Sequence, residues 1–310
     1  MAAARSLFDL VRRAALRTPN AVALVSPNQP GTFGKLTYAQ LMALSSGLAK
    51  QLYPAAVKSK GTLVASDLPN TTENLLLQLA LSSRQAAYAT TKDAQALAAL
   101  RATHNIVGCV PVTKDSWMYS DSKGDAAAIP CSMLGCDFEA QSAGWLKTNQ
   151  PEGEDNGGDE VDDGPHAYFN SSTALQSRDV VALGEAAASK LEMAASDKVC
   201  VSITLCHSFG IASGVAAVFS RGATLVLPAV GGIRGCGNPS ERAESTLQVM
   251  AATGATLLLA DTHIVKSFPS DVSSKITALR GGIVKTGSGS DFLDENVSVG
   301  GVDLFTMGKR

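Results

Sequence analysis

Short apolar runs alternate with segments of helical period along most of this chain, and no other feature constrains the fold as much. "AVALVS" (21–26), "AAYATT" (86–91), "HAYF" (166–169), "KVCVSITL" (198–205), "ATLVLP" (223–228) and "ATLLLA" (255–260) have the length and apolar content of buried strands. The start of "GTLVASDLPNTTENLLLQLALSS" is a further strand, followed by a turn at Leu68-Pro69-Asn70 and a helix opened by Thr71 or Thr72. Elsewhere the period is that of helices. Leu7, Leu10, Val11, Ala14 and Leu16 form one apolar stripe; Leu41, Leu44, Leu48 and Leu52 form another behind Thr37, which suits an N-cap. Further helices are expected over 93–105, Val180–Glu192 and Glu241–Ala252. Such alternation predicts an α/β fold with helix-covered, mostly parallel sheets.

At 310 residues the chain can bury one large core or two smaller ones. The stretch from Cys131 to Gly164 is polar, contains glycine and ends acidic, which marks a boundary. The expected division is a first α/β lobe over 1–150, an acidic loop over 151–164 and a second α/β lobe over 165–310, both packed as one domain.

Charge and cysteine usage exclude several functions. "PEGEDNGGDEVDDG" (151–164) holds seven acids and no Lys or Arg; the rest of the chain carries 21 acids against 26 bases. A surplus so small and dispersed does not predict nucleic-acid binding. Cys109, Cys131, Cys136, Cys200, Cys206 and Cys236 form neither a CxxC pair nor a Cys/His metal spacing, so idle thiols in a reducing compartment are expected and no metal site. His104, His166 and His263 have no partners at useful spacing and read as surface or helix-terminus residues. No apolar run reaches the ~20 residues that cross a bilayer. The start, "MAAARSLFDLVRRAALRTPN", is Arg-rich with Asp9 its only acid; it fits a mitochondrial transit peptide and an ordinary first helix equally well.

Read in order, the segments resemble the adenylate-forming superfamily of acyl-CoA synthetases, luciferases and peptide-synthetase adenylation domains. "RTPNAVALV" and "LTYAQL" resemble its opening helix, strand and second helix. "GTLVASDLPNTTENLLLQLALSSRQAAYATT" resembles the next unit, "VSITLCHSFGI" the family's L-P-L-F-H-x-F-G-L, "RGATLVLP" its G-A-T-V-V-L, and "ALRGGIVKTGSGS" its L-R-x-x-x-S-G-G-A-P-L. The resemblance covers nearly the whole chain and implies the fold of the N-terminal domain of acyl-CoA synthetases.

It also places "YFNSSTALQSRD" (168–179) where the family has its phosphate loop, roughly Y-T-S-G-T-T-G-x-P-K-G. That loop needs glycines so that backbone N–H groups can approach the triphosphate, and a lysine for charge. Here Tyr168, Ser172 and Thr173 survive, but the first glycine is Ser171, the second Ala174, the proline Gln176, the lysine Ser177 and the last glycine Arg178. Arg178 could supply the missing charge. The bland account is also complete: Ser177 caps a helix, Asp179 complements its positive end, and Val180, Leu183, Ala187 and Leu191 face a core. His207 and Gly210 keep the family's His-x-x-Gly spacing, a region that in the family helps orient the acyl substrate.

At the other end "DLFTMGKR" falls where the family reads Y-G-M-T-E, its adenylate-contacting turn. The tyrosine becomes Phe305, the glycine Thr306, the threonine Gly308 and the glutamate Lys309, with only Met307 retained. The sequence ends at Arg310, before the ribose-binding Asp, the hinge and the small mobile domain with the catalytic Lys that the resemblance implies. The expectation is therefore a pseudo-enzyme with no catalytic residue and no cofactor. Ser171, Ser172, Thr173, Ala174 and Ser177 would be a vestigial phosphate loop, and His207 and Gly210 a vestigial acyl site. It would act as a structural subunit beside other protein chains of a larger assembly, in a mitochondrial respiratory or ATP synthase complex, with no transmembrane segment of its own and association with a membrane complex through partners. The alternatives are an acyl- or nucleotide-binding sensor and an active acyl-CoA synthetase fragment.

Overall fold

A computed structural model describes residues 3–28, 34–52, 63–66, 68, 70–90, 94–102, 104, 106–113, 116–120, 126–130, 164–169, 173–228 and 237–309. The acidic run 151–163, Cys131, Cys136, Cys236, Ser171 and Ser172 lie outside the described residues. In chain order the first elements are α1 (Leu7–Arg17), β1 (Val22–Val25), β2 (Lys35–Thr37), α2 (Tyr38–Leu52), β3 (Leu63–Ser66), α3 (Thr72–Ser82), β4 (Ala87–Thr90) and α4 (Ala94–Arg101). Next come β5 (Ile106–Thr113), β6 (Ser116–Ser120), β7 (Ala126–Pro130), β8 (Pro165–Tyr168), β9 (Leu175–Gln176), α5 (Ser177–Lys190) and β10 (Lys198–Ser202). A wide-turned π-helix, Phe209–Ala216, runs into α6 (Ala217–Arg221). The last elements are β11 (Thr224–Val226), α7 (Pro239–Thr253), β12 (Leu257–Asp261), α8 (Thr262–Lys266), β13 (Gly281–Thr286), β14 (Asp291–Val299) and β15 (Val302–Gly308).

The chain forms two compact units, each with one sheet. The first comprises residues 1–21, 37–68 and 75–180, the second 22–36, 69–74 and 181–310. The first sheet has the order β7-β6-β5-β3-β4-β8-β9, the second β14-β15-β13-β12-β10-β11-β1-β2. β3 pairs in parallel with β4 and β5, and β4 with β8. In the second sheet β1, β10, β11, β12, β13 and β15 pair in parallel, and β14 closes one edge as an antiparallel hairpin with β15. The helix-covered, mostly parallel fold class holds.

The units do not follow the expected division at 151–164. β8 and β9, placed by sequence in the second lobe, belong to the first sheet; β1 and β2, placed in the first, belong to the second. Parallel strands find neighbours through crossovers, so chain order does not reveal which sheet a strand joins.

Local chemistry starts several helices where the sequence predicts. Thr37 and Gln40 form a reciprocal box at the head of α2, with Thr37 N–H donating to Gln40 Oε1 at 2.8 Å and Gln40 N–H to Thr37 Oγ1 at 3.2 Å. In α1 the buried face is Leu7, Leu10, Val11, Ala14 and Ala15. Leu16, assigned by spacing to that face, is 38 % exposed, because the helix turns it outward and Ala15 takes its place.

In the second unit a carboxylate–guanidinium pair ties the amino ends of three strands, β10, β12 and β13, to the end of α5. Asp197 accepts from Arg280 Nε at 2.9 Å and Nη2 at 2.6 Å, and also from Ala194 N–H and Thr256 Oγ1. Arg280 donates further to the carbonyls of Leu191 and Glu192 beyond α5. Burial pushes the Asp197 carboxyl up, but the hydrogen bonds from Arg280, Ala194 and Thr256 outweigh it and hold it below its ordinary value.

Candidate functional site

In open α/β sheets, ligands bind beyond the carboxyl ends of the strands. In the first unit the segment beyond β8 is the one that the resemblance aligns with a phosphate loop. β8 and β9 form an antiparallel pair, with Ala167 opposite Leu175 and Pro165 opposite Gln176. Thr173 is exposed. Ala174, where the resemblance has a glycine, packs its methyl against an apolar cluster of Leu63, Ala65, Ala87, Ala89, Leu100 and Tyr168. Ser177 is the first residue of α5, its N–H donating to the Gly164 carbonyl at 3.1 Å. The Arg178 guanidinium lies 3.8 Å from Asp179, with both side chains at least half exposed, so this pair adds little to stability. Val180, Ala187 and Leu191 are buried, and Leu183 half-buried.

Two histidines of the first unit have partners that the sequence hid. His104 Nε2 meets the Tyr168 hydroxyl at 3.1 Å, with the rings edge-on. His166, read as a surface residue, is buried instead: β8 lies between neighbouring strands, and the imidazole meets Gln78 Oε1 of α3 at 3.3 Å. Its Nδ1 has no partner among the described residues, and burial lowers its pKa to about 4. His263 is exposed within α8, as expected.

In the second unit His207 and Gly210 shape the entry to the π-helix. His207 Nδ1 accepts the Phe209 N–H at 3.1 Å, and its carbonyl accepts the Ile211 N–H at 3.1 Å. A Cβ on Gly210 would fall 2.2 Å from the Thr204 carbonyl oxygen, so only glycine fits. That carbonyl sits in a clamped turn: Asn70 donates to Ile203 O at 2.9 Å and accepts the Leu205 N–H at 2.7 Å. Gly184 of α5 serves a similar purpose, since a Cβ there would come within 2.8 Å of Ala216. Both residues of the expected acyl site thus have structural work.

The carboxyl ends of β10, β12 and β13 carry polar groups that sequence reasoning missed. Arg242 of α7 donates to Asp261 Oδ2 at 2.9 Å and to the Ser202 carbonyl at 3.3 Å; Asp261 Oδ1 accepts the Ile264 N–H and so caps α8. Ser202 Oγ and Thr246 Oγ1 lie 2.5 Å apart. Lys285, opposite Asp261 across the β12–β13 register, is buried and donates to the Gly289 carbonyl. Burial lowers its pKa, against the opposing charge of Asp291. The Arg242–Asp261 pair thus brings opposite charges together at this edge, with both side chains largely buried. The signal for the pair was present as "NPSERAES" and "LLLADTH", each a helix start, but the residues are 19 apart and neither motif points to the other.

The segment read as an adenylate-contacting turn lies in β15. Phe305 pairs with Ile283 and Asn296, Thr306 Oγ1 donates to the Glu295 carbonyl, Ser213 Oγ donates to Met307 Sδ at 3.6 Å, and Gly308 pairs with Thr286. Pairing on both sides extends the strand through Gly308, and Lys309 follows exposed. The Phe305 ring carries the Lys190 ammonium 4.4 Å from its centroid. Among the described residues no three His, Cys, Asp or Glu side chains gather as a metal site would require.

No protein-family model and no curated protein sequence matches the chain. Solved structures do. A fatty acyl CoA synthetase of Mycobacterium tuberculosis matches with a TM-score of 0.61 at 14% identity, over 92% of this chain and 56% of its own. IdnL1 matches with a TM-score of 0.62 at 13% identity, over 91% of this chain and 55% of its own. The inhibitor-bound N-terminal domain of FACL13 from Mycobacterium tuberculosis matches with a TM-score of 0.59 at 13% identity, over 91% of this chain and 70% of its own. The chain spans just over half the length of the first two. At such identities the likeness speaks for architecture, and the conclusion is one of fold: this chain has the α/β fold of the N-terminal part of adenylate-forming, acyl-CoA-synthetase-like structures.

Proposed function

We propose that this protein is a non-catalytic subunit that uses an acyl-CoA-synthetase-like fold as a scaffold within a larger protein assembly. One observation carries the reading: the segment joining β8 to α5 has neither glycine nor lysine from Tyr168 to Asp179, and Ala174 turns its methyl into an apolar cluster. Adenylation requires charge stabilisation around an in-line attack on the α-phosphate. A loop with side chains at the glycine positions keeps its backbone N–H groups away from a triphosphate. His207 and Gly210 support the same reading, since their geometry is accounted for by capping and close packing.

A mitochondrial respiratory or ATP synthase complex is the assembly proposed; the Arg-rich, acid-poor start of the sequence supports the mitochondrial destination alone and does not select the complex. Native purification from the source organism, with sizing and mass spectrometry, tests the scaffold reading. Co-elution with defined partner chains well above the mass of one copy is expected; a partner-free monomer overturns it. Saturable binding of ATP, AMP, CoA or an acyl-CoA in calorimetry would reassign the protein as a sensor.

A further inference from the structure

The outward face of α1 is basic. On a helical projection Arg12, Leu16, Arg13 and Arg17 share one arc with Asp9, opposite the buried arc of Leu7, Leu10, Val11, Ala14 and Ala15. Arg5, just before the helix, Arg12 and Arg17 are exposed and Arg13 is half-buried; the lone acid, Asp9, accepts the Arg5 backbone N–H at 3.1 Å at the amino end. Leu16, between the arginines, is the one large hydrophobic side chain exposed among the described residues. The imbalance continues beyond the helix: the first 66 residues hold eight Lys and Arg against Asp9 alone.

We infer that this face of α1 docks on an anionic phospholipid surface, with the arginines against headgroup phosphates and Leu16 entering the interface. Charge complementarity sets the sign of the partner, and shape selects a membrane over an acidic polypeptide. The arginines spread along about 18 Å from residue 5 to residue 17. They stand along the outward face of one helix, which suits a flat, extended layer of charge. Because the apolar face of α1 is already buried in its own unit, the attachment is peripheral, electrostatic and salt-sensitive. The inference does not depend on whether the fold retains catalysis.

The test is cosedimentation of the full chain with vesicles of phosphatidylcholine alone and of phosphatidylcholine with phosphatidylserine, at low and high salt. Each arginine near such a surface contributes about a fivefold gain in partitioning. The wild type is expected on phosphatidylserine vesicles only, with release by salt. R12Q/R17Q should bind roughly 25-fold more weakly. L16S should also bind more weakly, while both variants keep wild-type thermal melts because the altered side chains are exposed. Absence of binding to phosphatidylserine vesicles at low salt, equal binding to neutral vesicles, or undiminished binding by folded R12Q/R17Q overturns the inference. So does competition in which polyglutamate displaces the protein from vesicles at matched charge, since the face would then fit an acidic protein better.

Discussion

Replacing Gly210 with alanine tests whether the His207–Gly210 segment is held by packing. The new Cβ would sit 2.2 Å from the Thr204 carbonyl oxygen. Carbon and carbonyl oxygen approach no closer than about 3.3 Å, so roughly 1 Å must open between the π-helix and the 203–205 turn. The turn cannot yield freely, because Asn70 holds both Ile203 O and Leu205 N–H. Overpacking costs ~1–3 kcal/mol, and a clash of backbone against backbone belongs at the upper end, so G210A should lose about 3 kcal/mol in urea denaturation. N70A, which removes two hydrogen bonds, should lose ~1–3 kcal/mol by itself. With the clamp gone the turn can retreat, so the double variant should lose about 1 kcal/mol less than the sum of the singles. A G210A stability within ~0.5 kcal/mol of wild type, or strict additivity with N70A, would refute the reasoning.

Three other outcomes follow from the geometry. R280M leaves Asp197 largely buried with only Thr256 and Ala194 as donors; since Arg280 is 41 % exposed, a discounted loss of about 2 kcal/mol is expected in chemical denaturation. His166 is buried with a pKa lowered to about 4, below its ordinary 6.5, so it costs nothing above pH 6.5 and destabilises progressively as pH falls towards 4. The loss at pH 4 is on the order of 3 kcal/mol, and H166Q should flatten that part of the pH–stability curve; an unchanged curve contradicts the buried neutral imidazole. K285M exchanges a buried ammonium for an apolar side chain of similar length and should melt within a few degrees of wild type or above it. A large fall would instead show that the bond to the Gly289 carbonyl organises the loop after β13.

The parallel, helix-covered architecture was legible because its signals are local. Runs such as "ATLLLA" have the length and apolar content of buried strands between helices, and Thr37 marks the start of α2 before any tertiary contact forms. The assignment of strands to sheets was not legible, because β1 meets β11 across some two hundred residues and no residue in either encodes that choice. β14 went unnoticed since "DFLDENVSV" carries three acids and only an edge strand tolerates them; it is visible once β15 is there to pair with. The same distance concealed the burial of His166, whose partner Gln78 lies 88 residues away. The lack of glycine and lysine from Tyr168 to Asp179, by contrast, is plain in twelve residues, and Ala174 packs against an apolar cluster there.

The central proposal is that this chain does not activate a carboxylate with ATP. ATP–pyrophosphate exchange, measured on the purified chain and on its native complex with a panel of fatty and amino acids and magnesium, tests it most directly. The prediction is exchange at the level of the protein-free control for every acid. Acid-dependent exchange above that level, lost on substituting Arg178 or Lys285, would contradict it and show that a cation outside the usual loop position does the work of the missing lysine.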